Sequence, residues 1–234
     1  MRIDIITLFP KFFAPIFEGS IIGRAQNRGL ARIAVHDLRD FIPAGRRADD
    51  APYGGGSGMV LRLEPVVGAL EMLLGPDLAL PPGCKIIVPS PAGRPFDHAS
   101  ACRLASHAWL IVVCGHYEGI DERLFKLVAA TELSLGDFVL TGGEIPALAF
   151  VDACVRMLPE AIAAQSAEND SFSAGALDWP HYTRPSEFRG LRVPDILLSG
   201  DHTRIDRWRR RQARMRTARR RPDLLADQVA RESK

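Results

Sequence analysis

Short apolar stretches alternate with amphipathic stretches over the first 159 residues of the chain. Five stretches are rich in Ile and Val, as strands covered on both faces are, and each is predicted to be a strand: Arg2–Phe9, Arg32–Val35, Lys85–Pro89, Leu110–Cys114 and Phe138–Thr141. Helices are expected between them, at Leu63–Leu74, from the N-cap Asp97 to about Ala108, and from a first turn containing Pro146 to near Pro159. The alternation predicts a mostly parallel sheet in an α/β domain.

The pattern changes after residue 159. Residues 160–178 are rich in Ala, Ser, Glu and Asp and have little apolar periodicity, which is typical of a flexible interdomain linker. Residues 179–234 are predicted to form a small helical domain. It includes a helix at Arg204–Arg221, whose apolar positions are expected on one face: Ile205, Trp208, Met215 and Ala218.

Composition excludes several classes of protein. Of 234 residues, 47% are hydrophobic and 25% are charged, which is ordinary for a globular protein. No uncharged apolar run approaches the roughly 18 residues that a membrane-spanning helix needs, and the first ten residues read as a strand rather than a signal peptide. The four cysteines are widely spaced, so we expect reduced thiols and a cytoplasmic location.

Charge is distributed unevenly between the two parts. Residues 1–179 carry 15 Lys and Arg against 21 Asp and Glu, a balance of −6, whereas residues 180–234 carry 15 against 7, a balance of +8. The segment Arg204–Arg221 alone holds ten arginines and one acid. Because the guanidinium group can grip phosphate through two hydrogen bonds, this segment is a candidate nucleic-acid contact.

Three glycine-containing clusters are candidate binding loops. Residues 53–59 read YGGGSGM, which lacks the G-K-[ST] of a phosphate-binding loop and is equally compatible with a flexible loop. Residues 115–123 read GHYEGIDER and follow a predicted strand, where open α/β sheets bind ligands. Residues 134–144 read SLGDFVLTGGE and could present backbone groups to a heterocycle. No histidine spacing typical of a metal centre and no G-x-S-x-G nucleophile elbow occurs.

Eight motifs occur in an order that resembles one known family. They read IITLFP, PYGGGSGM, SPAGRPFD, VVCGHYEGIDER, SLGDFVLTGGE, NDSF, LDWPHYTRP and VPDILLSG. In this order they resemble the bacterial tRNA (guanine-N1)-methyltransferases of the SPOUT superfamily, from residue 1 to about residue 221. Two departures are His116, where the family also commonly has Arg, and a short tail after Arg221.

The resemblance implies an α/β fold. It comprises a parallel-sheet SPOUT domain with a C-terminal trefoil knot at residues 1–159, a flexible linker at 160–178, and a small all-helical tRNA-binding domain at 179–234. General topological rules would instead predict an unknotted sheet, because knots are rare. The resemblance further implies a homodimer whose active site is shared between subunits, and methyl transfer from S-adenosylmethionine to N1 of guanine 37, just 3′ of the anticodon.

The resemblance also implies roles for individual residues. Asp170 would be the general base, Arg156 would orient the guanine and polarise its O6, and Glu118 would help to place guanine and cofactor. The cofactor would be held by Pro91, Gly115, Tyr117, Leu135, Gly136, Asp137, Phe138, Val139, Leu140, Gly142 and Gly143. RNA would be contacted by His181, Arg184, Arg207, Arg210, Arg211 and Arg214.

Simple chemistry is consistent with these roles. Guanine N1 carries a proton and becomes nucleophilic when a carboxylate removes that proton. The negative charge then spreads to O6, where a guanidinium group can stabilise it. A base in a flexible linker suits this task if RNA binding orders the linker.

The residues leave three alternatives open. The chain could be a SPOUT methyltransferase acting on another RNA position, a catalytically silent RNA-binding protein, or a nucleotide hydrolase that uses the YGGGSG loop. Participation of Mg²⁺ is likewise left open, although no metal-binding residues are predicted.

Overall fold

The computed structural model describes residues 1–163 and 170–225. The chain divides into two compact units, Met1–Ile162 (unit 1) and Ala163–Lys234 (unit 2). Unit 1 contains a parallel five-stranded sheet covered by helices, which confirms the α/β class expected for this part of the chain.

The strands of the main sheet lie in the order β2-β1-β6-β5-β7, and every neighbouring pair is parallel. Their bounds are Arg2–Thr7 (β1), Arg32–Asp37 (β2), Cys84–Pro95 (β5), Trp109–Val113 (β6) and Ala130–Ser134 (β7). A separate antiparallel pair is formed by Asp49–Asp50 (β3) and Val60–Leu61 (β4). Parallel strands bring their carboxyl ends to one edge of the sheet, so the loops that follow β5, β6 and β7 come together there.

The helices of unit 1 connect these strands. Their bounds are Ala14–Phe17 (α1), Ser20–Asn27 (α2), Leu63–Leu74 (α3), His98–Ala105 (α4), Leu124–Leu127 (α5) and Glu144–Val155 (α6). Short 3₁₀ turns occur at Pro10–Phe12 and Leu38–Phe41. The sequence predicted α3 with these bounds and the Asp97 cap of α4, whose Oδ1 accepts a 2.7 Å hydrogen bond from the backbone N–H of Ser100. Pro146 lies in the first turn of α6, as predicted, but that helix ends before Pro159.

The central strands β1 and β6 and the first half of β5 are buried on both faces of the sheet, which explains why they are apolar runs. On one face Ile3, Ile5 and Val112 pack in a core with helices α1, α2, α4 and α6. On the other face Ile6 and Ile111 pack in a second core with α3 and α5. Successive residues of β1 therefore serve different cores, in keeping with the two-residue period of a strand.

The predicted strand at Phe138–Thr141 is wrong. These residues lie in a loop, where the Phe138 side chain is 55% exposed and Val139 is 83% exposed. The strand in this part of the chain is β7, which the sequence reasoning missed because its residues, ATELS, include polar side chains. As the last strand in the sheet order, β7 has a neighbour on one side only, and an edge strand does not need to be apolar throughout.

Strand β5 extends beyond the predicted end at Pro89 to Pro95, and its pairing with β7 is interrupted on the way. Its pairing with β7 shifts register between Pro89 and Arg94, since both residues pair with Leu133. The intervening residues 90–93 therefore leave the ladder. Gly93 permits this arrangement, because a Cβ there would overlap the backbone of Leu133.

Unit 2 contains a long helix and a short hairpin. The helices are Asp195–Leu198 (α7) and His202–Arg220 (α8), and the hairpin strands are Glu187–Phe188 (β8) and Leu191–Arg192 (β9). The all-helical description of this part is therefore wrong. Arg189 and Gly190, with φ of 51° and 77°, form the kind of two-residue turn with positive φ that joins antiparallel strands.

The buried face of α8 agrees with the predicted one at Ile205 and at the half-buried Trp208, and differs from it in the second half of the helix. Ile205 and Thr217 are its buried residues, whereas Met215 is 54% exposed and Ala218 is also exposed. The polar Thr217 can be buried because its hydroxyl donates to Ala213 O at 2.8 Å. A pattern built on apolar residues alone does not detect this position.

Part of the predicted linker packs against α8 within unit 2. The backbone N–H of Leu177 donates to Thr217 Oγ1 at 2.9 Å, and the side chain of Arg216 donates to Asp178 O at 3.4 Å. Residues 164–169 lie outside the described residues. The flexibility of the linker therefore stays a prediction.

Candidate functional site

A cavity of about 440 Å³ lies in unit 1 at the carboxyl edge of the sheet. Its walls come from the residues that leave the β5 ladder, the loop after β6 and the loop after β7. These three strands are neighbours in the sheet, so segments far apart in sequence meet at one place. This is the position where open α/β sheets bind ligands.

Most of the predicted cofactor residues line this cavity. They are Pro91, Gly115, Tyr117, Leu135, Gly136, Phe138, Val139, Leu140, Gly142 and Gly143. Asp137 is the one predicted cofactor residue that does not line it. The exposed side chains of Phe138 and Val139, unexplained in a strand, are accounted for as parts of this wall.

Glycines let two loops of the cavity wall approach each other closely. The backbone N–H of Gly143 donates to Gly115 O at 2.8 Å, and Gly142 forms an antiparallel bridge with His116. A Cβ at Gly143 would lie 2.9 Å from the Cα of Cys114. Since real Cβ atoms do not approach other atoms so closely, the contact requires glycine at this position.

His116 is a cavity residue that the sequence reasoning noted only as a departure from the family. Its Nδ1 atom is buried and has no hydrogen-bond partner among the described residues. The centroid of its ring lies 5.0 Å from that of Phe9, in a tilted arrangement, and 4.8 Å from that of Tyr117, edge to face. Tyr117 has a φ of 62°, a conformation that costs energy for a non-glycine residue and is concentrated at functional sites.

Glu118 also lines the cavity, and its side chain is exposed. The loop that carries it continues to Asp121, whose side chain is tied to Arg123 by hydrogen bonds of 2.9 Å and 2.6 Å. The hydrogen bonds from Arg123 lower the pKa of Asp121 against a smaller opposing effect of burial. The Asp121 carboxylate therefore stabilises the loop through its hydrogen bonds with Arg123, while Glu118 lines the cavity.

The other two predicted catalytic residues lie in different units. Arg156 is the C-cap residue of α6 in unit 1, where its backbone N–H donates to Asp152 O at 3.1 Å. Asp170 lies in unit 2, at a turn in which its carbonyl accepts hydrogen bonds from the N–H and the hydroxyl of Ser173 at 3.2 Å and 2.7 Å. Asp170 is half-buried. Their joint action at one site stays a prediction.

The four predicted RNA-contacting arginines of α8 share one exposed side. Arg207, Arg210, Arg211 and Arg214 are all exposed and fall within an arc of about 100° at 3.6 residues per turn. Among residues 170–225 of this unit, none of the four takes part in an ion pair. The side chain of each is therefore available to an external anion.

Other arginines of α8 are used within unit 2. Arg209 pairs with Asp206 at 3.4 Å, and its guanidinium lies 5.2 Å from the ring centroid of Trp179. Arg221, just after the helix, pairs with Asp223 at 2.6 Å. These contacts occupy two of the acids that could otherwise neutralise the exposed arginines. Asp227, a third acid near them in the sequence, lies outside the described residues.

The remaining predicted RNA residues precede the hairpin. His181 Nε2 lies 2.6 Å from Asp178 Oδ2, and the His181 ring is 5.7 Å from that of Trp179. Arg184 is exposed and is joined to Pro185 by a cis peptide bond. Both residues are accessible to a ligand of unit 2.

The cysteines do not provide a reactive thiol in the cavity. Burial raises the pKa of Cys114 well above its ordinary value, and burial raises the pKa of Cys154 to about 12. A thiol nucleophile needs a lowered pKa, so neither suits nucleophilic catalysis near neutral pH. Within residues 1–163 and 170–225, no group of three or more His, Cys, Asp or Glu side chains could hold a metal ion.

None of the described helices combines the length and the apolar character that crossing a membrane would require. The longest of them, α8, carries most of the arginines of its unit.

Comparison with known proteins identifies close relatives. A family model described as tRNA (Guanine-1)-methyltransferase TrmD matches residues 1–227. The chain is 49% identical over 227 residues to a protein of Dehalococcoides mccartyi, with 96% of this chain and 90% of the relative covered. It is 50% identical over 226 residues to one of Streptococcus thermophilus, with 96% and 91% covered. A protein of Geobacter metallireducens is 49% identical over 231 residues, with 98% and 93% covered. Each of these relatives is named tRNA (guanine-N(1)-)-methyltransferase.

Proposed function

Because the chain belongs to the tRNA (guanine-1)-methyltransferase family, we propose that it methylates N1 of the guanine just 3′ of the anticodon, at position 37 of tRNA. Methyl transfer to N1 of a tRNA guanine is the activity of this family. The choice of guanine 37 rests on the resemblance of the eight sequence motifs. A cytoplasmic location follows if the enzyme acts where its tRNA substrate is made.

The observation that carries the proposal is the cavity at the carboxyl edge of the sheet. Its volume of about 440 Å³ falls in the range of roughly 300–1,000 Å³ that is typical of small-molecule sites. Its wall combines apolar side chains with backbone groups of Gly115, Gly142 and Gly143. Such a wall suits a nucleoside, whose base is apolar on its faces and forms hydrogen bonds at its edge.

The residues of the cavity fit S-adenosylmethionine, the methyl donor that the family implies. The backbone groups of Gly115, Gly142 and Gly143 offer polar contacts in a wall of mixed polar and apolar surface. When bound, S-adenosylmethionine supplies a methyl group already activated on a positively charged sulfur. The protein therefore has to orient the guanine and manage its N1 proton.

Asp170 is proposed to accept that proton. Removing it makes N1 nucleophilic and leaves negative charge on O6 of the guanine. The guanidinium group of Arg156 would stabilise this charge through hydrogen bonds, and Glu118 in the cavity wall would help to orient the base. The target base has to leave its stack to enter the cavity, as in other enzymes that modify bases.

We also propose a homodimer in which Asp170 of one subunit serves the cavity of the other. The support is that Asp170 belongs to a different compact unit from the cavity, together with the family resemblance. Mixing Asp170→Asn chains with chains disabled in the cavity should restore one working site per mixed dimer. Confirmed mixed dimers without activity would contradict the shared site.

A trefoil knot is proposed for the chain segments that build the cavity. The family resemblance is its main support. The tight packing of Gly143 against Cys114 and Gly115 is the kind of close backbone contact that a threaded chain needs.

The exposed arginines of α8 are proposed to bind tRNA phosphates. Phosphate contacts fix position and add affinity with little regard to sequence. His181 and Arg184 would add contacts to the same RNA. Specificity for the guanine would then be set at the cavity rather than at the helix.

Primer extension on a methylated tRNA transcript tests the target position. A methyl group at N1 blocks Watson–Crick pairing, so reverse transcriptase should stop at guanine 37. A stop elsewhere would favour a methyltransferase for another RNA position, and tRNA binding without any stop would favour a catalytically silent RNA-binding protein. Parallel reactions with and without EDTA test whether Mg²⁺ takes part.

A further inference from the structure

The glycine-rich loop at residues 53–59 is held against the loop that carries Glu118. Its own residues do not line the cavity, whereas Glu118 does. The backbone N–H of Glu118 donates to Met59 O at 2.9 Å. Two residues further along, the N–H of Leu61 donates to Gly119 O, also at 2.9 Å. The two loops therefore form one backbone-bonded layer at the cavity wall.

Gly58 is the point where the side chain of Glu118 touches this layer. Its φ is +86°, in the region that favours glycine. A Cβ built on Gly58 would lie 2.6 Å from Cγ and 2.8 Å from Cδ of Glu118, and closer still to Oε1. The Glu118 side chain therefore rests directly on the Gly58 backbone. Any larger residue would push it away.

Little else fixes the Glu118 side chain. Across the described ranges, 1–163 and 170–225, its carboxylate takes part in no hydrogen bond or ion pair, and the residue is exposed. A carboxylate with open acceptor sites is suited to receive hydrogen bonds from a substrate. Its location before binding then depends on the backbone of the loop and on the contact with Gly58.

We propose that Gly58 is a positioning residue of the enzyme. Because it has no side chain, Glu118 can pack against its backbone, and this contact fixes the position of the Glu118 carboxylate in the cavity wall. This assigns a role to the YGGGSGM motif, which lacks the chemistry of a phosphate-binding loop. The inference rests on the proposed role of Glu118 in placing guanine and cofactor. Gly58 itself does not line the cavity.

The chain offers a closely matched control in Gly54. Its φ is +85°, but a Cβ there would meet nothing within 4 Å. Gly58→Ala and Gly54→Ala therefore both place a side chain at a φ near +85°, and only the first displaces Glu118. In single-turnover methyl transfer to a tRNA transcript, Gly58→Ala should lose about 10- to 100-fold, the scale of an ångström-sized misplacement. Gly54→Ala should stay within about threefold of the parent. Equal losses in the two variants would overturn the proposal.

A double-mutant cycle separates positioning from a general structural effect. In a Glu118→Ala background, Gly58→Ala should cost no more than Gly54→Ala, because the displaced side chain is gone. If Gly58→Ala causes the same large loss of activity with and without the Glu118 side chain, contact between the two residues is not the cause, and the proposal is overturned. If Gly58→Ala alone does not fold, the double variant with Glu118→Ala should fold, and its failure to do so would also overturn the proposal.

The single Glu118→Ala variant distinguishes failure of this inference from failure of the proposed function. Full activity of Glu118→Ala would remove Glu118 from the site, and with it the role of Gly58. If Glu118→Ala loses most of its methyl-transfer activity and Gly58→Ala costs the same with and without the Glu118 side chain, only the positioning role of Gly58 is contradicted. Thermal unfolding of each variant verifies that the activities refer to folded protein.

Discussion

Thr7 at the end of β1 and Glu144 at the start of α6 are joined by a buried hydrogen bond, in which Thr7 Oγ1 donates to Glu144 Oε1 at 2.7 Å. The two residues are 137 positions apart in the chain. Thr7 Oγ1 also accepts a 2.9 Å hydrogen bond from the backbone N–H of Phe9. One hydroxyl thus links the sheet, the following loop and the helix that begins directly after the cavity residues Gly142 and Gly143.

Thr7→Val should therefore destabilise the protein. The change keeps the shape of the side chain but leaves a buried carboxylate oxygen and the N–H of Phe9 without this partner, which typically costs about 1–3 kcal/mol of unfolding free energy. Thr7→Ser, which retains the hydroxyl, is the matched control and should lose less. Urea unfolding of the three proteins measures the difference. Equal stability of Thr7→Val and the parent would show that the bond contributes nothing.

Asp4 is a second buried carboxylate of β1, and it makes the stability of the fold pH-dependent. Burial acts to raise the pKa of Asp4, but hydrogen bonds from His36, Arg2 and Trp109 outweigh it and lower the pKa below its usual value. The respective distances are 2.7 Å, 2.6 Å and 2.7 Å. A carboxylate whose pKa is lower in the folded than in the unfolded chain stabilises the fold wherever it is ionised in both states.

The stabilisation by Asp4 should be complete above the unfolded pKa of about 3.9 and should be lost as the pH falls towards the lower folded value. Asp4→Asn removes this titration. Unfolding free energy measured from pH 7 to pH 2.5 should therefore fall less steeply at the acid end for Asp4→Asn than for the parent. Parallel curves would contradict the lowered pKa.

Asp170→Asn should abolish most of the methyl transfer without affecting the fold. Loss of a general base typically costs about 100-fold or more. Affinity for S-adenosylmethionine should not change, because the cavity lies in unit 1 and Asp170 lies in unit 2. Asp195→Asn, an exposed acid of the same unit, is the control. Near-normal turnover of Asp170→Asn would remove Asp170 from the mechanism.

Replacing Arg207, Arg210, Arg211 and Arg214 with Gln should weaken tRNA binding and reduce its dependence on salt. Each phosphate contact that is lost lowers the number of counterions released, so the slope of log affinity against log salt should become shallower by about 0.7–0.9 per contact. Arg24→Gln and Arg32→Gln, at exposed positions of unit 1, serve as controls. An unchanged slope in folded protein would contradict the phosphate contacts.

Elements of the fold could be predicted from the sequence where a single local requirement, such as burial of a strand or capping of a helix, determines the residue types. Strands covered on both faces must be apolar, so β1, β5 and β6 could be recognised without the structure. The edge strand β2 was recognised from its Ile and Val residues. The Asp97 cap was also recognisable, because few residue types can satisfy the first N–H groups of a helix.

Predictions from the sequence were wrong where contacts between distant parts of the chain determine which residues are buried. Apolar residues at Phe138–Thr141 resemble a strand, but they line a cavity, while the edge strand β7 tolerates polar residues. In α8 the buried Thr217 is satisfied by Ala213 O and by the N–H of Leu177, a residue 40 positions away. Neither periodicity nor composition encodes such a partner.

Assembly of the cavity could be anticipated only in part. Residues 115–123 were expected to lie where α/β sheets bind ligands, and the family resemblance named eleven residues that line the cavity, ten for the cofactor and Glu118. The unpartnered Nδ1 of His116 and the contact of Gly58 with Glu118 could not be anticipated, because each depends on distances between loops.

The proposed activity places a methyl group on one particular guanine of tRNA. The most direct measurement is transfer of labelled methyl from S-adenosylmethionine to two unmodified tRNA transcripts that differ only at the nucleotide just 3′ of the anticodon. The transcript with guanine at that position should be labelled, and the transcript with another base there should be labelled at least ~100-fold more slowly. Equal labelling of both transcripts, or labelling of neither by folded protein, would contradict methylation of the guanine just 3′ of the anticodon.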